Sequence, residues 1–380
     1  MRTRSFLLCT FLLLIAPLAI AEEAVSIRDG KLFDEGAERT GPAEGAPEDL
    51  KHLAPFVGEW DLEMEVHRPA SPGNPAQVLR SKGRARVTWM NRGHALMERT
   101  RIADFDGAGH TMATLTFLAV DDNGLWTASE GNSWTEAIAI ASGSRKGDRW
   151  VLHDAMRPGG GGRLLYLRRT YQKVDDNRFE MRFEASSDRG ETWTMAVVRR
   201  FTRRAPVESY FPVRQDVGEA APGLPPEATQ FDFLLGEWDA SHWMKVQDRE
   251  IRFQATATGV RALDGHAILE HGFHNSDPSL PDAATTILRI YNRSMRRWES
   301  LFLTNRSNVP LHFGGVQEGQ RIVLHPFAAQ TGGNPLNQWI FFDPKKDSYR
   351  WQGLRSTDRG KTFEPYWTIE FARRKAAEEG

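Results

Sequence analysis

The chain contains one long internal repeat, and this repeat constrains the fold more than any other feature. Three landmarks recur in the same order: GEWD at 58–61 and 236–239, GHA at 93–95 and 265–267, and DRG at 188–190 and 358–360. The offsets lie between 170 and 178 residues. Shared order at a nearly constant offset indicates a duplicated domain.

The DRG landmark belongs to SSDRGETW at 186–193, which resembles the Asp-box hairpin of sialidase-type propellers. Propeller motifs recur once per blade, roughly every 40–50 residues. Here the motif occurs once per large unit, which argues against a propeller. We expect Asp188, Gly190, Asp358 and Gly360 to build tight turns, with the acidic side chains closing them and glycine supplying positive φ.

Composition and the repeat together divide the chain into five segments. They are a signal peptide at 1–21, a disordered leader at 22–49, barrel 1 at 50–205, a proline-rich linker at 206–227 and barrel 2 at 228–376. The signal has arginines, then an apolar run, then Ala-Ile-Ala, the order typical of export. Its apolar run is short for a membrane span, so we expect a periplasmic or secreted chain without membrane insertion.

Apolar and polar residues alternate through most of both units, as in FEMRFEAS at 179–186 and IRFQATAT at 251–258. Alternation with period two predicts strands that have one dry and one wet face. About 150 residues of successive strands need protected edges, and closure removes edges. The sequence therefore predicts an all-β protein of two tandem antiparallel barrels.

Cysteine content and charge exclude several classes of function. The one cysteine, Cys9, lies in the predicted signal, so a mature chain has no disulfide, zinc-thiolate site or cysteine nucleophile. The formal charge of −1 does not suggest nucleic-acid binding. No metal-binding motif is present, and we expect no metal site.

The phrases FDFLLGEWD, YNRSMRRWESLFLTN and STDRGKTF are similar to an uncharacterised bacterial family, a domain of unknown function with the signature FDFxxGxWD. That family belongs with the calycin- and lipocalin-like β-barrels. The resemblance covers most of 231–374 and, more loosely, 53–204. It implies that Trp60 and Trp238 plug the barrels, each beneath a last-strand arginine, Arg203 or Arg373.

The same class of barrel includes haem carriers that hold iron through a histidine near the end of the barrel sequence. The corresponding segments here, TMAVVRRFTRR and PYWTIEFARR, contain no histidine. We therefore expect no cofactor, and in particular no stoichiometric haem.

Two pairs of residues are candidates for acid–base chemistry, namely His94 with Glu98 and His266 with Glu270. Residues four apart on a strand share a face, so both members of a pair could line one cavity. The alternative places each histidine at a hairpin tip in water. His153 and His325 end equivalent strands and are candidate ligand-binding residues at a barrel mouth, with a structural histidine as the alternative.

Three functions remain open from the sequence. The first is binding of a small, largely apolar ligand inside a barrel, because small barrels enclose either packed side chains or one such ligand. The second is a hydrolase- or isomerase-type enzyme that uses the cavity His and Glu residues. The third is a structural or interaction role with filled barrels. The sequence leaves the oligomeric state undetermined.

Overall fold

The structure is a computed structural model that describes residues 39–70, 75–158, 164–205, 217–246, 249–274, 283–327 and 336–374. The predicted signal peptide, most of the leader and part of the linker lie outside the described residues. No helix within the described ranges is both long and apolar enough to cross a membrane.

Barrel 1 is a closed sheet of ten antiparallel strands in which each strand pairs with its neighbours in sequence and β10 closes on β1. The strands are β1 Gly58–Arg68, β2 Gln77–Met90, β3 Ala95–Ala103, β4 Met112–Val120, β5 Trp126–Asn132, β6 Ala137–Lys146, β7 Arg149–Pro158, β8 Leu164–Asp175, β9 Arg178–Ser186 and β10 Thr194–Arg203.

Barrel 2 repeats this topology, with β20 closing on β11. The strands are β11 Gly236–Val246, β12 Arg249–Ala262, β13 Ala267–His274, β14 Ala283–Asn292, β15 Arg297–Thr304, β16 Leu311–Glu318, β17 Arg321–Pro326, β18 Leu336–Phe342, β19 Ser348–Ser356 and β20 Glu364–Arg373. The prediction of two tandem antiparallel barrels is confirmed.

Short 3-10 helices precede the first strand of each barrel and plug one end, which we call the closed end. Glu48–Phe56 buries Leu50, Leu53 and Phe56 against barrel 1. In barrel 2 the corresponding helices are Pro226–Thr229 and Asp232–Leu234.

A tryptophan on the first strand lies at each closed end. The Trp60 indole N–H donates to Phe56 O at 2.9 Å, and the Trp238 indole N–H donates to Leu234 O at 3.0 Å. The Arg203 and Arg373 guanidinium carbons each lie 4.2 Å from the centre of the tryptophan ring. Cation–π contact and hydrogen bonding therefore fix each tryptophan between the first and last strands.

The glycine two residues before each tryptophan is required by this arrangement. Gly236 has φ +103°, and a Cβ there would lie 2.5 Å from Arg373 Nη1. Gly58 has φ +138°, and a Cβ there would lie 2.6 Å from Arg203 Nη1. A larger residue would displace the arginine from its ring, which explains the Gly-x-Trp pattern in both copies.

The two DRG hairpins lie at the opposite end, the open end. Ser186 Oγ donates to Asp188 Oδ1 at 2.6 Å and accepts from the Gly190 N–H at 2.7 Å. Asp188 also accepts from the Thr192 N–H at 2.9 Å. The same contacts recur around Asp358, where Ser356 Oγ and the N–H groups of Gly360 and Thr362 take part. These side chains close the turns.

Residues 39–49 form part of the segment expected to be disordered, and they contact barrel 1. The Ala43 N–H donates to Gly93 O at 3.2 Å. The segment before barrel 2 makes the matching contact, in which the Ala221 N–H donates to Gly265 O at 3.2 Å. Each barrel therefore carries a preceding segment across its GHA turn.

The barrels share a third apolar core, built from the outer faces of neighbouring strands of each. Its buried members from barrel 1 are Met90, Ala95, Met97, Ala113, Leu115, Phe117, Ala119 and Ile138, and those from barrel 2 are Leu263, Ala267, Leu269, Leu288, Ile290, Leu301 and Leu303. The approach is close, because a Cβ on Gly131 would lie 2.5 Å from Leu288 Cδ2. This interface makes the two barrels one packed unit.

Hydrogen bonds between polar groups also connect the two barrels. The Ile138 N–H donates to Glu299 Oε2 at 2.9 Å, and Thr286 Oγ1 donates to Asn91 Oδ1 at 2.7 Å. Arg293 Nη2 donates to Glu136 Oε1 at 2.7 Å. These bonds specify how one barrel is rotated against the other.

Replacing Trp238 by alanine should destabilise barrel 2 by about 3–5 kcal/mol, because the change removes a buried ring and its hydrogen bond. The same substitution at Trp134, which is 53% exposed, should cost far less. Urea denaturation followed by circular dichroism measures both, and similar midpoints for the two variants would contradict the plug role.

Leu288→Ala should lower the free energy of unfolding by about 2–5 kcal/mol, because it opens a cavity in the shared core. Val316→Ala is the control, since Val316 is 42% exposed on the outer face of barrel 2. Equal denaturation midpoints for Leu288→Ala and wild type would show that the interface adds no stability.

Candidate functional site

The interior of barrel 1 contains a layer of charged and hydroxyl side chains, which we call the charged layer. Its members are Glu98, Thr100, Thr114, Thr116, Glu130, Asp154, Arg169 and Arg199. All point inward because they share strand parity with the core residues on either side of them. Glu98, Thr116 and Glu130 stand in register across β3, β4 and β5.

Ion pairs organise the charged layer. Arg199 Nη1 donates to Glu130 Oε2 at 3.1 Å, and Arg169 Nη1 lies 3.7 Å from the same oxygen. Arg169 Nε also donates to Asp154 Oδ2 at 3.3 Å. Burial opposes ionisation of Glu130, but Arg199 and Arg169 outweigh it and hold the pKa of this carboxyl below its usual value. Two guanidinium groups and two carboxylates therefore balance one another.

Glu98 is the acid of the layer without an arginine within ion-pair distance among the described residues. Thr100 Oγ1 donates to Glu98 Oε1 at 3.2 Å, and Thr114 Oγ1 donates to Thr100 Oγ1 at 2.9 Å. Burial raises the pKa of Glu98 to about 7, and Arg199 only partly opposes this rise. Glu98 is therefore largely protonated below neutral pH.

Some polar atoms of the layer have no hydrogen-bond partner within the described part of the chain. They include Asp154 Oδ1 and Arg199 Nε, both shielded from solvent. Such atoms carry a desolvation cost that a stable core normally avoids. The charged layer therefore stabilises the barrel less than apolar side chains that filled the same space would.

Inward-facing residues become more exposed toward the open end. Along β10, Phe201 is buried, Arg199 is 5% exposed and Val197 is partly exposed. Other inward-facing residues that are partly exposed at this end include Val66, Ala137, Ala139, Leu165, Phe183 and Ala185. We call these residues with Val197 the apolar rim. Solvent reaches the barrel interior from this end and meets the apolar rim before the charged layer.

The closed end of barrel 1 has almost no free space. A cavity of about 10 Å³ lies among Leu53, Phe56, Leu118, Trp126, Thr127, Trp150, Leu152 and Tyr171. One water molecule would fill such a volume. This cavity is too small for a ligand larger than water.

Barrel 2 has apolar side chains at most of the matching positions. From the strand registers, Phe302 corresponds to Glu130, Trp339 to Arg169 and Ile369 to Arg199. Large rings fill this interior, with Phe313 stacked on Trp339 at 3.7 Å and Trp351 against Trp367 at 5.3 Å. The two copies therefore differ in the chemistry of their interiors.

A charged pair is also present inside barrel 2. Arg289 Nη2 donates to Glu270 Oε1 at 3.3 Å, and Arg289 Nη1 donates to Ser300 Oγ at 3.1 Å. The guanidinium carbon also lies 5.0 Å from the ring centres of Phe231 and Phe341. This arginine is enclosed by aromatic rings.

The structure separates the histidine from the glutamate in both predicted acid–base pairs. His94 and His266 lie in the turns before β3 and β13, so strand parity does not apply to them. His266 Nδ1 lies 3.0 Å from Glu136 Oε1 at the interface between the barrels. Burial lowers the pKa of His94, and Arg306 and Arg39 lower it further. Glu98 and Glu270 instead face the barrel interiors.

His153 and His325 lie on the outer faces of β7 and β17 and are exposed. The His153 ring centre is 6.0 Å from that of Trp193, which itself lies 4.1 Å from the Arg168 guanidinium carbon. The glycine-rich loop at 159–163 and the segment at 328–335 lie outside the described residues. Ligand binding by these histidines stays a prediction.

Sequence analysis missed Glu130, Asp154, Arg169 and Arg199. Each interrupts the dry face of its strand, and this signal becomes clear only when the two copies are aligned strand by strand. Charge against a large apolar residue at matching inward positions marks barrel 1 as the chemically distinct copy.

No family model matches this chain, and no curated protein matches it. Among solved structures it is similar to Rv2717c of Mycobacterium tuberculosis, with 13% identity and a TM-score of 0.31 over 42% of this chain and 99% of the other. A DUF3598-family protein of unknown function from Nostoc punctiforme shows 11% identity and a TM-score of 0.23, covering 85% and 98% of the two chains.

A mutant of transferrin binding protein B from Haemophilus parasuis shows 6% identity and a TM-score of 0.15, covering 84% of this chain and 77% of that protein. All three TM-scores are below 0.5.

Glu98→Gln should remove a pH-dependent loss of stability. The pKa of Glu98 is about 7 in the folded chain, above the usual 4.5. As the pH rises, this carboxyl therefore loses its proton at a lower pH in the unfolded chain than in the folded chain. Wild-type stability should therefore fall between about pH 5 and pH 8, by up to roughly 3 kcal/mol. Denaturation midpoints across this range should fall less steeply for Glu98→Gln. Glu63→Gln, on the outer face of β1, is the control, and parallel curves for all three proteins would contradict the assignment.

Proposed function

We propose that this is an exported protein that binds a small, largely apolar ligand in the open end of barrel 1. The observation that carries the proposal is the charged layer beneath a solvent-reaching apolar rim. Ligand pockets commonly combine apolar walls with a few placed polar groups. The N-terminal segment, with its arginines and apolar run, supports export.

The difference between the copies supports barrel 1 as the binding copy. A barrel of this kind can be stabilised by packing aromatic side chains in its interior, as barrel 2 is by Phe302, Trp339 and Trp351. Barrel 1 instead keeps the acidic and basic side chains of the charged layer inside, at a cost in desolvation. Barrel 1 is then the binding copy and barrel 2 a supporting one. Barrel 2 covers the outer faces of β3 and β4, whose inner faces carry Glu98 and Thr114.

The residues of the apolar rim can contact an apolar ligand. Val66, Phe183 and Val197 are partly exposed although they face inward. The Trp134 ring, 53% exposed, lies at the same end with its centre 4.8 Å from that of Phe105. Covering such surface on binding contributes about 25 cal/mol per Å² of apolar area.

The test is saturable binding of N-phenylnaphthylamine, a neutral apolar dye whose fluorescence rises in apolar surroundings. Ala139→Trp should block the open end of barrel 1 and weaken dye binding at least roughly 10-fold, since a mismatch of about 1.4 kcal/mol has this effect. Leu311→Trp places the same side chain at the matching position of barrel 2 and should leave binding unchanged.

Circular dichroism melting verifies that both variants are folded. Absence of saturable dye binding by the wild type would overturn the proposal. Loss of binding in Leu311→Trp alone would move the site to barrel 2.

A further inference from the structure

The acceptor that the charged layer offers to a ligand is one oxygen of Glu130, because Asp154 Oδ1, which also lacks a partner, is shielded from solvent. The contacts to this carboxylate from Arg199, Arg169 and Thr116 all go to Oε2. Within the described part of the chain, no hydrogen bond or ion pair involves Oε1. The Glu130 side chain is 12% exposed, against 4% for Arg169 and 6% for Arg199. Glu130 is therefore the charged group of this network most open to the barrel interior.

Charge balance restricts what can approach Glu130. Arg169 and Arg199 are matched by Glu130 and Asp154, and Glu98 carries no charge when protonated. An anionic group would stand beside the Glu130 carboxylate, and both arginines of the described part of the layer already pair with a carboxylate. A cationic group would stand within the field of two guanidinium groups. Either charge would be taken out of water without a matching partner, which is unfavourable.

Building on the proposed ligand-binding function, we infer that the ligand is electrically neutral and donates a hydrogen bond to Glu130 Oε1. An apolar alcohol or a primary amide has this chemistry, with the hydroxyl or N–H at the charged layer and the apolar body along the rim. A hydrogen bond to an ionised acceptor is among the stronger ones available to a neutral ligand.

Three probes with the same chain and different head groups test this inference. Decanol, decanoate and decylammonium compete for bound N-phenylnaphthylamine at about pH 6, where the two charged probes remain ionised. Decanol should displace the dye at a concentration at least roughly 10-fold lower than either charged probe. Equal or better displacement by decanoate or by decylammonium would overturn the inference while leaving ligand binding intact.

Two substitutions should reverse the preference in opposite directions. Glu130→Gln leaves the layer with one excess positive charge, so decanoate should become the best competitor by roughly 10-fold. Arg199→Gln leaves one excess negative charge, so decylammonium should gain by a similar factor. Glu63→Gln on the outer face of β1 makes the same chemical change outside the barrel and should preserve the wild-type order.

Each variant is measured only after its melting curve shows a folded chain, and either substitution alone is sufficient. An unchanged order of the three probes in a folded Glu130→Gln or Arg199→Gln variant would overturn the inference. Failure of the dye itself to bind the wild type would instead overturn the binding function.

Discussion

The contact between the first and last strands at each closed end is the interaction on which the rest of each barrel depends. A ten-stranded sheet closes only if β1 meets β10 and β11 meets β20 in one register. The Trp60–Arg203 and Trp238–Arg373 stacks form at these junctions. Gly58 and Gly236 leave space for the arginines. Once the junction is set, strand parity decides which side chain faces inward along every other strand.

Closure gives each copy an interior surrounded by ten strands, and the copies fill it differently. Barrel 2 packs aromatic rings around the Arg289–Glu270 pair, so its interior gains dispersion energy and apolar burial. Barrel 1 fills its closed end with rings and its middle with ion pairs. The cost of these ion pairs is the physical argument for function, because filling alone would favour the aromatic solution seen in barrel 2.

The interface between the barrels connects the chemical difference between their interiors to the fold. Outer-face residues of β3 and β4, such as Met97 and Phe117, belong to the same buried cluster as Leu269 and Leu288 of barrel 2. Inner-face residues of the same two strands include Glu98 and Thr116. The second barrel therefore packs on the outer face of the strands that form one wall of the proposed site. Duplication supplied both the site and the body that supports it.

Alternation, the repeat and the turn motifs sufficed to predict two antiparallel barrels, because these signals depend on neighbours in sequence. The resemblance to calycin-type barrels supplied the expectation for the Trp and Arg pairs. The charged layer could not be predicted in this way, although Glu98 was singled out. Glu130, Asp154, Arg169 and Arg199 lie on four different strands, and only closure of the sheet brings them together. The sequence by itself determined which faces are dry. The tertiary structure decided which charges meet inside, because that depends on register around a closed ring.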